Sequence, residues 1–144
     1  MKRLLLITLF ITIVSTFSFS QCNFDDDQLL QCTALLEDYS FIKVYEIDVK
    51  FLGSWGENAT TEYSYVFSEN TYYKLQICET KVASDLVISI YDLSNNLIST
   101  NDNKNMLAIG FFCNTSGVYR LRFTYKSDEM PMDCGFCVLG AKKK

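Results

Sequence analysis

The chain has 144 residues, of which 49% are hydrophobic and 15% aromatic, and its formal net charge is −4. An acidic domain has no electrostatic reason to bind nucleic acid or an anionic membrane. The sequence contains no histidine, so it lacks the commonest general base and the commonest metal ligand. Catalysis by a Ser–His or Cys–His pair is therefore excluded.

The first twenty residues have the three parts of a secretory signal peptide. Lys2 and Arg3 form a basic head, residues 4–14 form an apolar run, and small polar residues follow. The run is shorter than the roughly 20 apolar residues that cross a bilayer. We predict cleavage after residue 20, a secreted or periplasmic protein without a membrane span, and a single domain over residues 21–144. That domain has 11 basic and 17 acidic residues, a net charge of −6. A lipid anchor on Cys22 is the alternative.

A short helix is predicted directly after the signal. Apolar residues recur at three- and four-residue steps from Leu29 to Leu36, as on one face of a helix. Asp25 and Gln28 have the spacing of a capping box, and acidic residues suit a helix N-terminus. A calcium site at the three aspartates of residues 25–27 is the alternative, although no glycine turn accompanies them.

From Tyr45 onward the hydrophobic period is two, which indicates strands with one buried face. A turn at residues 68–70 predicts a hairpin between the second and third strands, and residues 97–100 pair back on the fourth. About eight short strands without helical crossovers predict a mostly β fold, an antiparallel β-sandwich or jelly roll with one N-terminal helix. The predicted strands cover residues 45–51, 63–67, 73–77, 86–90, 97–100, 109–113, 119–125 and 134–139.

Six cysteines follow the signal, namely Cys22, Cys32, Cys78, Cys113, Cys134 and Cys137. In an exported protein an even number predicts up to three disulfides. Nearness in sequence favours pairing Cys22 with Cys32. Cys78 and Cys113 both end strand-like runs, which favours a second pair at one end of a sheet.

Three segments carry a resemblance to a known family: Tyr73-Lys74-Leu75, residues 85–92 with Asn95-Asn96 behind them, and Thr115-Ser116-Gly117-Val118-Tyr119-Arg120-Leu121. Through them residues 63–125 resemble the bacterial pre-peptidase C-terminal type of β-sandwich. The chain is also similar to small uncharacterised secreted bacterial proteins. The resemblance implies an accessory sandwich shaped like a carbohydrate-binding module, without catalytic residues. The cysteines are not part of that family's pattern, and we expect no protease domain within these 144 residues.

The Cys134-Gly135-Phe136-Cys137 motif has three interpretations. Its cysteines belong to structural disulfides, to a redox pair, or to a zinc site. The first cysteine of a redox pair is expected at a helix N-terminus, which lowers its pKa, whereas this motif precedes a strand. A zinc site needs two further ligands, which without histidine must be cysteines or carboxylates. Structural disulfides are therefore the favoured interpretation.

Exposed aromatic residues are the best candidates for a ligand site. Trp55 lies between Gly53 and Gly56 in a predicted loop. Tyr72 directly precedes Tyr73, which is predicted to face inward, so Tyr72 lies on the opposite face of the strand. A platform of Trp55 and Tyr72 would stack on sugar rings. The oxygen-bearing residues Asp92, Asn101, Asp102 and Asn103 are candidates for structural calcium, although such residues are also common in turns.

The sequence thus predicts a secreted, non-catalytic binding domain that needs no cofactor and recognises carbohydrate or a protein at the cell surface. One alternative is a structural subunit of a cell-surface or extracellular assembly. A second is redox or metal chemistry at Cys134 and Cys137. Glycoside hydrolysis by paired carboxylates is the remaining enzymatic hypothesis.

Overall fold

A computed structural model of the protein describes residues 25–47, 60–78, 83–102, 106–126 and 134–144. The predicted signal peptide, Cys22, Trp55 and Asn103 lie outside these residues. The boundary of the mature domain at residue 21 therefore stays a prediction. No helix in the described ranges has both the length and the apolarity to cross a membrane.

Helix α1 spans Asp26–Ala34 and is capped as predicted. The Asp25 carboxylate accepts a hydrogen bond from the Asp27 amide at 3.0 Å, and the Gln28 side chain accepts one from the Asp25 amide. These bonds satisfy amides that a helix start leaves without partners. The capping interpretation of residues 25–28 is confirmed.

The described residues form eight strands in two antiparallel sheets, which confirms the predicted β-sandwich. Sheet A has the order β1-β8-β3-β6, and sheet B has the order β2-β7-β4-β5. The strands are β1 (Ser40–Ile47), β2 (Thr60–Phe67), β3 (Thr71–Ile77), β4 (Leu86–Tyr91), β5 (Leu97–Thr100), β6 (Ala108–Cys113), β7 (Gly117–Tyr125) and β8 (Gly135–Lys143). A 3-10 turn, Ala83–Asp85, precedes β4.

The core lies between the sheets and contains the residues that the period-two pattern assigned to it. Ile47, Phe67, Ile88, Leu121 and Phe123 are completely buried. Aromatic rings pack edge to face around Phe67, whose ring centre is 4.4 Å from that of Tyr73 and 4.9 Å from that of Phe111. Such packing favours a large, continuous apolar core.

The predicted hairpin between the second and third strands is wrong. β2 pairs with β7 in sheet B, whereas β3 pairs with β6 and β8 in sheet A. The link at residues 68–70 carries the chain across the core from one sheet to the other, because Phe67 and Tyr73 face each other from opposite sheets. Asn70 adopts a φ of 57° at this link and donates its amide to the Cys113 carbonyl. The β4–β5 hairpin is confirmed, with Ser89 opposite Thr100.

Helix α1 packs on the outer face of sheet A and is linked to it by a disulfide between Cys32 and Cys78. Leu36, Phe136 and Val138 form a second, smaller apolar cluster beneath it. This cluster buries the outer face of the middle of the sheet, which a sandwich otherwise leaves in water.

The Cys32–Cys78 bond makes both predicted pairings wrong. Cys22 does not pair with Cys32, because α1 carries Cys32 over the end of β3. Cys78 does not pair with Cys113, which lies opposite Thr71 at the other end of that strand, about 20 Å away at the rise of a strand. Cys113 and Cys137 are free thiols buried in the core, so three disulfides do not form.

Candidate binding face

The outer faces of the two sheets differ in what covers them. Helix α1 lies over sheet A, whereas no element of the described ranges lies over the outer face of sheet B, here called the sheet B face. The strand register arranges its side chains in rows. One row is Ser64, Arg120, Tyr91 and Leu97; the next is Glu62, Arg122, Ser89 and Thr100; Val66 and Val118 lie at one end, and Thr60, Thr124 and Val87 at the other.

Arg122 is fixed at the centre of the sheet B face by an anion and an aromatic ring. Its Nε and Nη2 both lie 2.7 Å from Glu62 Oε1, and its guanidinium carbon lies 4.6 Å from the centre of the Tyr91 ring. The hydrogen bond from Arg122 to Glu62 raises the pKa of the guanidinium further above its usual value. Arg122 is therefore a permanent cation, and two of its nitrogens are already paired with Glu62.

Arg120 lies beside Arg122 but has a looser set of contacts. Its Nη2 donates to Asn95 Oδ1 at 2.6 Å, and its Nη1 lies 3.7 Å from Glu62 Oε2. Asn95 is neutral, so it orients the guanidinium without cancelling its charge. One carboxylate, that of Glu62, thus contacts both arginines. The Asp92 carboxylate is also near enough to Arg120 to interact with its charge, although it makes no ion pair with it among the described residues.

The β4–β5 hairpin positions Asn95 for this contact. Asn95 has a φ of 67°, which asparagine tolerates better than most residues. The Asp92 carboxylate accepts hydrogen bonds from the backbone amide and the side-chain amide of Asn96, both at 2.8 Å. These hydrogen bonds lower the pKa of Asp92. The turn holds Asn95 above the sheet B face.

Chemically, the cluster of Arg120, Arg122, Tyr91 and Glu62 suits recognition of a planar anion. Guanidinium groups bind carboxylates through paired, directed hydrogen bonds. The cluster already holds one carboxylate, that of Glu62. Arg120 and Arg122 are the only arginines after Arg3, and both lie on this one face. The period-two pattern placed them outward, but only the strand register shows that Tyr91 and Glu62 join them.

Apolar side chains border the charged centre of the sheet B face. Val66 and Val118 are paired across β2 and β7, and Val66 is 66% exposed. Leu97, beside Tyr91, is 52% exposed. A charged centre with aliphatic borders provides both directed and apolar contacts to a partner.

Tyr72 lies on the other face of the molecule, at the outer surface of sheet A. It is 39% exposed, and its ring centre is 4.7 Å from that of Phe112. The Lys144 ammonium lies 5.6 Å from the centre of the Phe112 ring. The predicted platform with Trp55 stays a prediction, because Trp55 lies outside the described residues.

The structure contradicts a redox pair at the Cys134–Cys137 motif. Cys134 is disulfide-bonded, whereas Cys137 is a free thiol, so they do not bond to each other. Cys137 is completely buried in the core, and burial raises the pKa of its thiol. A buried, protonated thiol is neither a good nucleophile nor a metal ligand. The zinc interpretation is thereby weakened as well, since a zinc ligand must be a thiolate.

The candidate calcium ligands within the described residues are engaged in structure. Asn101 Oδ1 accepts a hydrogen bond from the Ile88 amide at 2.7 Å. This bond links the loop after β5 to β4. Both Asp102 carboxylate oxygens contact the Lys126 ammonium within 2.8 Å. These two side chains line an open groove of about 440 Å³ at the end of the sandwich. Within the groove, the Asn101 side-chain amide also donates to the carbonyls of Leu86 and Met106.

Comparisons with known proteins find matches among solved structures alone. No family model matches the chain, and no curated protein matches it. Among solved structures, it is similar to the crystal structure of PliG from Aeromonas hydrophila, a periplasmic lysozyme inhibitor of g-type lysozyme. The identity is 10%, the match covers 74% of this chain and 89% of that one, and the TM-score is 0.44.

Proposed function

We propose that this protein is a secreted, non-catalytic binding domain that engages its ligand through the sheet B face. The observation that carries the proposal is the contrast between the two sheets. Helix α1 and the Cys32–Cys78 bond cover sheet A, whereas the central, outward side chains of sheet B form an oriented arginine cluster with an aliphatic border. Arginine and tyrosine are the residue types that contribute most to binding hot spots.

A role in assembly is the second candidate, and the edges of the sandwich bear on it. At one side, the Tyr63 hydroxyl donates to the Glu46 carbonyl at 2.7 Å and links β2 to β1. At the other, Ser99 Oγ donates to the Gly110 carbonyl at 3.3 Å and links β5 to β6. These bonds occupy edge carbonyls that an added strand would need. They favour a binding face over edge-to-edge assembly.

The test uses defined libraries and two matched variants of the exported protein. Wild type is screened against an array of immobilised glycans and a displayed library of short peptides. Each probe that binds is measured again with Ser64→Tyr, which places a ring beside Arg120 on the sheet B face, and with Tyr72→Ala on sheet A. We expect Ser64→Tyr to weaken binding about tenfold or more and Tyr72→Ala to leave it unchanged.

The opposite pattern, loss with Tyr72→Ala alone, would move the binding site to sheet A and favour the Trp55–Tyr72 platform. Absence of any bound probe, together with concentration-dependent self-association in analytical ultracentrifugation, would favour the assembly role. Circular dichroism of both variants verifies that each retains the sandwich.

A further inference from the structure

The two arginines of the sheet B face are not equivalent, and the difference points to a role for one of them. Arg122 directs two nitrogens to Glu62 and rests on Tyr91. Among the described residues, Arg120 makes one hydrogen bond, to neutral Asn95, and a 3.7 Å contact with Glu62. Its side chain is 30% exposed. Arg120 therefore keeps N–H donors that no described residue uses, in a fixed orientation, next to water.

We propose that Arg120 anchors a single carboxylate on a partner protein, an aspartate or glutamate set among apolar side chains; this rests on the proposed function. The carboxylate takes the place opposite Glu62, so that each arginine has one carboxylate within hydrogen-bond distance. Asn95 and Glu62 act as positioning residues, because they hold the guanidinium in place before the partner arrives. A preorganised donor loses less entropy on binding than a flexible one.

The apolar border identifies the partner as protein. Val118 precedes Arg120 by two residues on β7, so their side chains stand about 7 Å apart on the same face. Leu97 lies on the other side, beyond Tyr91. Aliphatic groups at these distances contact apolar side chains on either side of a carboxylate. A polysaccharide chain would leave them facing hydroxyl groups.

The charge of the whole domain argues in the same direction. Residues 21–144 carry a net charge of −6, which repels a densely anionic polymer such as polyuronate. A partner that offers one carboxylate between apolar groups meets the Arg120 guanidinium without that long-range penalty.

The number of arginines gives a direct experiment. After cleavage of the signal, only Arg120 and Arg122 contribute Nε–H signals to a nitrogen-15 correlation spectrum. The exported protein is titrated with a blocked peptide of sequence Ser-Leu-Glu-Leu-Ser and with its Ser-Leu-Gln-Leu-Ser counterpart. We expect the Arg120 signal to move with the Glu peptide, and the Gln peptide to bind about tenfold more weakly.

Three variants distinguish the role of Arg120 from the roles of other polar residues. Arg120→Gln should abolish the preference for Glu over Gln, Asn95→Gly should reduce it, and Lys126→Gln, whose lysine pairs with Asp102, should leave it unchanged. Equal binding of both peptides on sheet B amides would overturn the carboxylate anchor and leave the proposed function standing. Chemical-shift changes confined to sheet A would overturn both the carboxylate anchor and the proposed function. No shift with either peptide, or tighter binding of oligogalacturonate than of the Glu peptide, would overturn the inference of a protein carboxylate.

Discussion

The Leu36 side chain lies directly over Gly140, where the end of the N-terminal segment crosses the middle strand of sheet A. A β-carbon on residue 140 would stand 3.0 Å from Leu36 Cδ2 and 3.0 Å from the Tyr39 β-carbon. Glycine is needed at this position because the segment after α1 packs so closely on β8. The covered face of sheet A therefore depends on a residue without a side chain.

Gly140→Ala should destabilise the protein by about 1–3 kcal/mol, because the added methyl group must displace Leu36 or the segment that carries it. Urea denaturation followed by tyrosine fluorescence measures the change. Gly117→Ala is the matched control, since a β-carbon there meets no atom within 4 Å. Equal stability of the two variants would mean that α1 and its following turn shift freely over sheet A.

Removal of the Cys32–Cys78 bond should have a larger effect. Its cysteines are 46 residues apart, and loop closure of that length contributes about 4 kcal/mol through the unfolded chain. We expect the Cys32→Ala, Cys78→Ala double variant to unfold at a clearly lower urea concentration. Its amide hydrogen exchange should rise first in α1. Unchanged protection of α1 would show that Leu36 and Val138 hold the helix without the bond.

The thiols can be assigned by labelling and peptide mapping. Maleimide should modify neither Cys113 nor Cys137 in the native protein, because both are buried and burial raises the pKa of Cys137. In concentrated urea without reductant both should react, whereas Cys32, Cys78 and Cys134 should react only after reduction. Native labelling at Cys137 with Cys134 unblocked would restore the redox hypothesis.

Tyr45 should make the protein sensitive to alkali. Its hydroxyl is buried without a hydrogen-bond partner among the described residues, and burial raises the pKa of this phenol above its usual value of about 10. A raised folded-state pKa gives stability that is complete below about pH 10 and is lost as the pH rises above it. Tyr45→Phe should be as stable as wild type at pH 7, or up to about 1 kcal/mol more stable.

The comparison of urea midpoints at pH 7 and pH 10.5 isolates Tyr45, because Cys137 and the other buried tyrosines contribute equally to both proteins. Wild type should lose more stability than Tyr45→Phe over this interval. A parallel loss in the two proteins would show that the pKa of Tyr45 is not raised. Destabilisation of Tyr45→Phe at pH 7 would show that the hydroxyl has a partner.

Asn95 has two roles that substitutions can separate. Asn95→Ala removes the short polar side chain that lets asparagine adopt the left-handed region and should cost about 1–2 kcal/mol. Asn95→Gly tolerates that conformation, so stability should change by less than about 0.5 kcal/mol, although the contact with Arg120 is lost. Urea denaturation of both variants measures the difference. Equal losses of stability in Asn95→Ala and Asn95→Gly would show that Asn95 stabilises the protein through its contact with Arg120.

The sequence predicted the faces of the strands better than their partners. Alternation identified Leu121 and Phe123 as inward residues, because burial of alternate side chains is a local property of one strand. Nothing local distinguishes a turn that closes a hairpin from one that crosses the core, so the link between Phe67 and Tyr73 was misassigned. The pairing of Cys32 with Cys78 was missed for the same reason, since it depends on where α1 packs.

The candidate binding face shows the same limit. Arg120 and Arg122 were recognisable as outward residues of a single strand. Glu62 and Tyr91 come from strands far away in sequence, and only the register of β2, β7 and β4 places them in the same rows. The sequence therefore indicated a binding domain, whereas the composition of its face required the three-dimensional structure.

The position of β8 has a consequence for how the protein folds. Residues 135–143 form a strand in the middle of sheet A, between β1 and β3. While the chain is being synthesised, β1 stays without its neighbour until this later segment emerges. Pairing of such distant segments slows folding and prolongs the exposure of unpaired edges to aggregation. The protein should therefore fold only after its synthesis is nearly complete, and a chaperone that shields β1 should increase its yield.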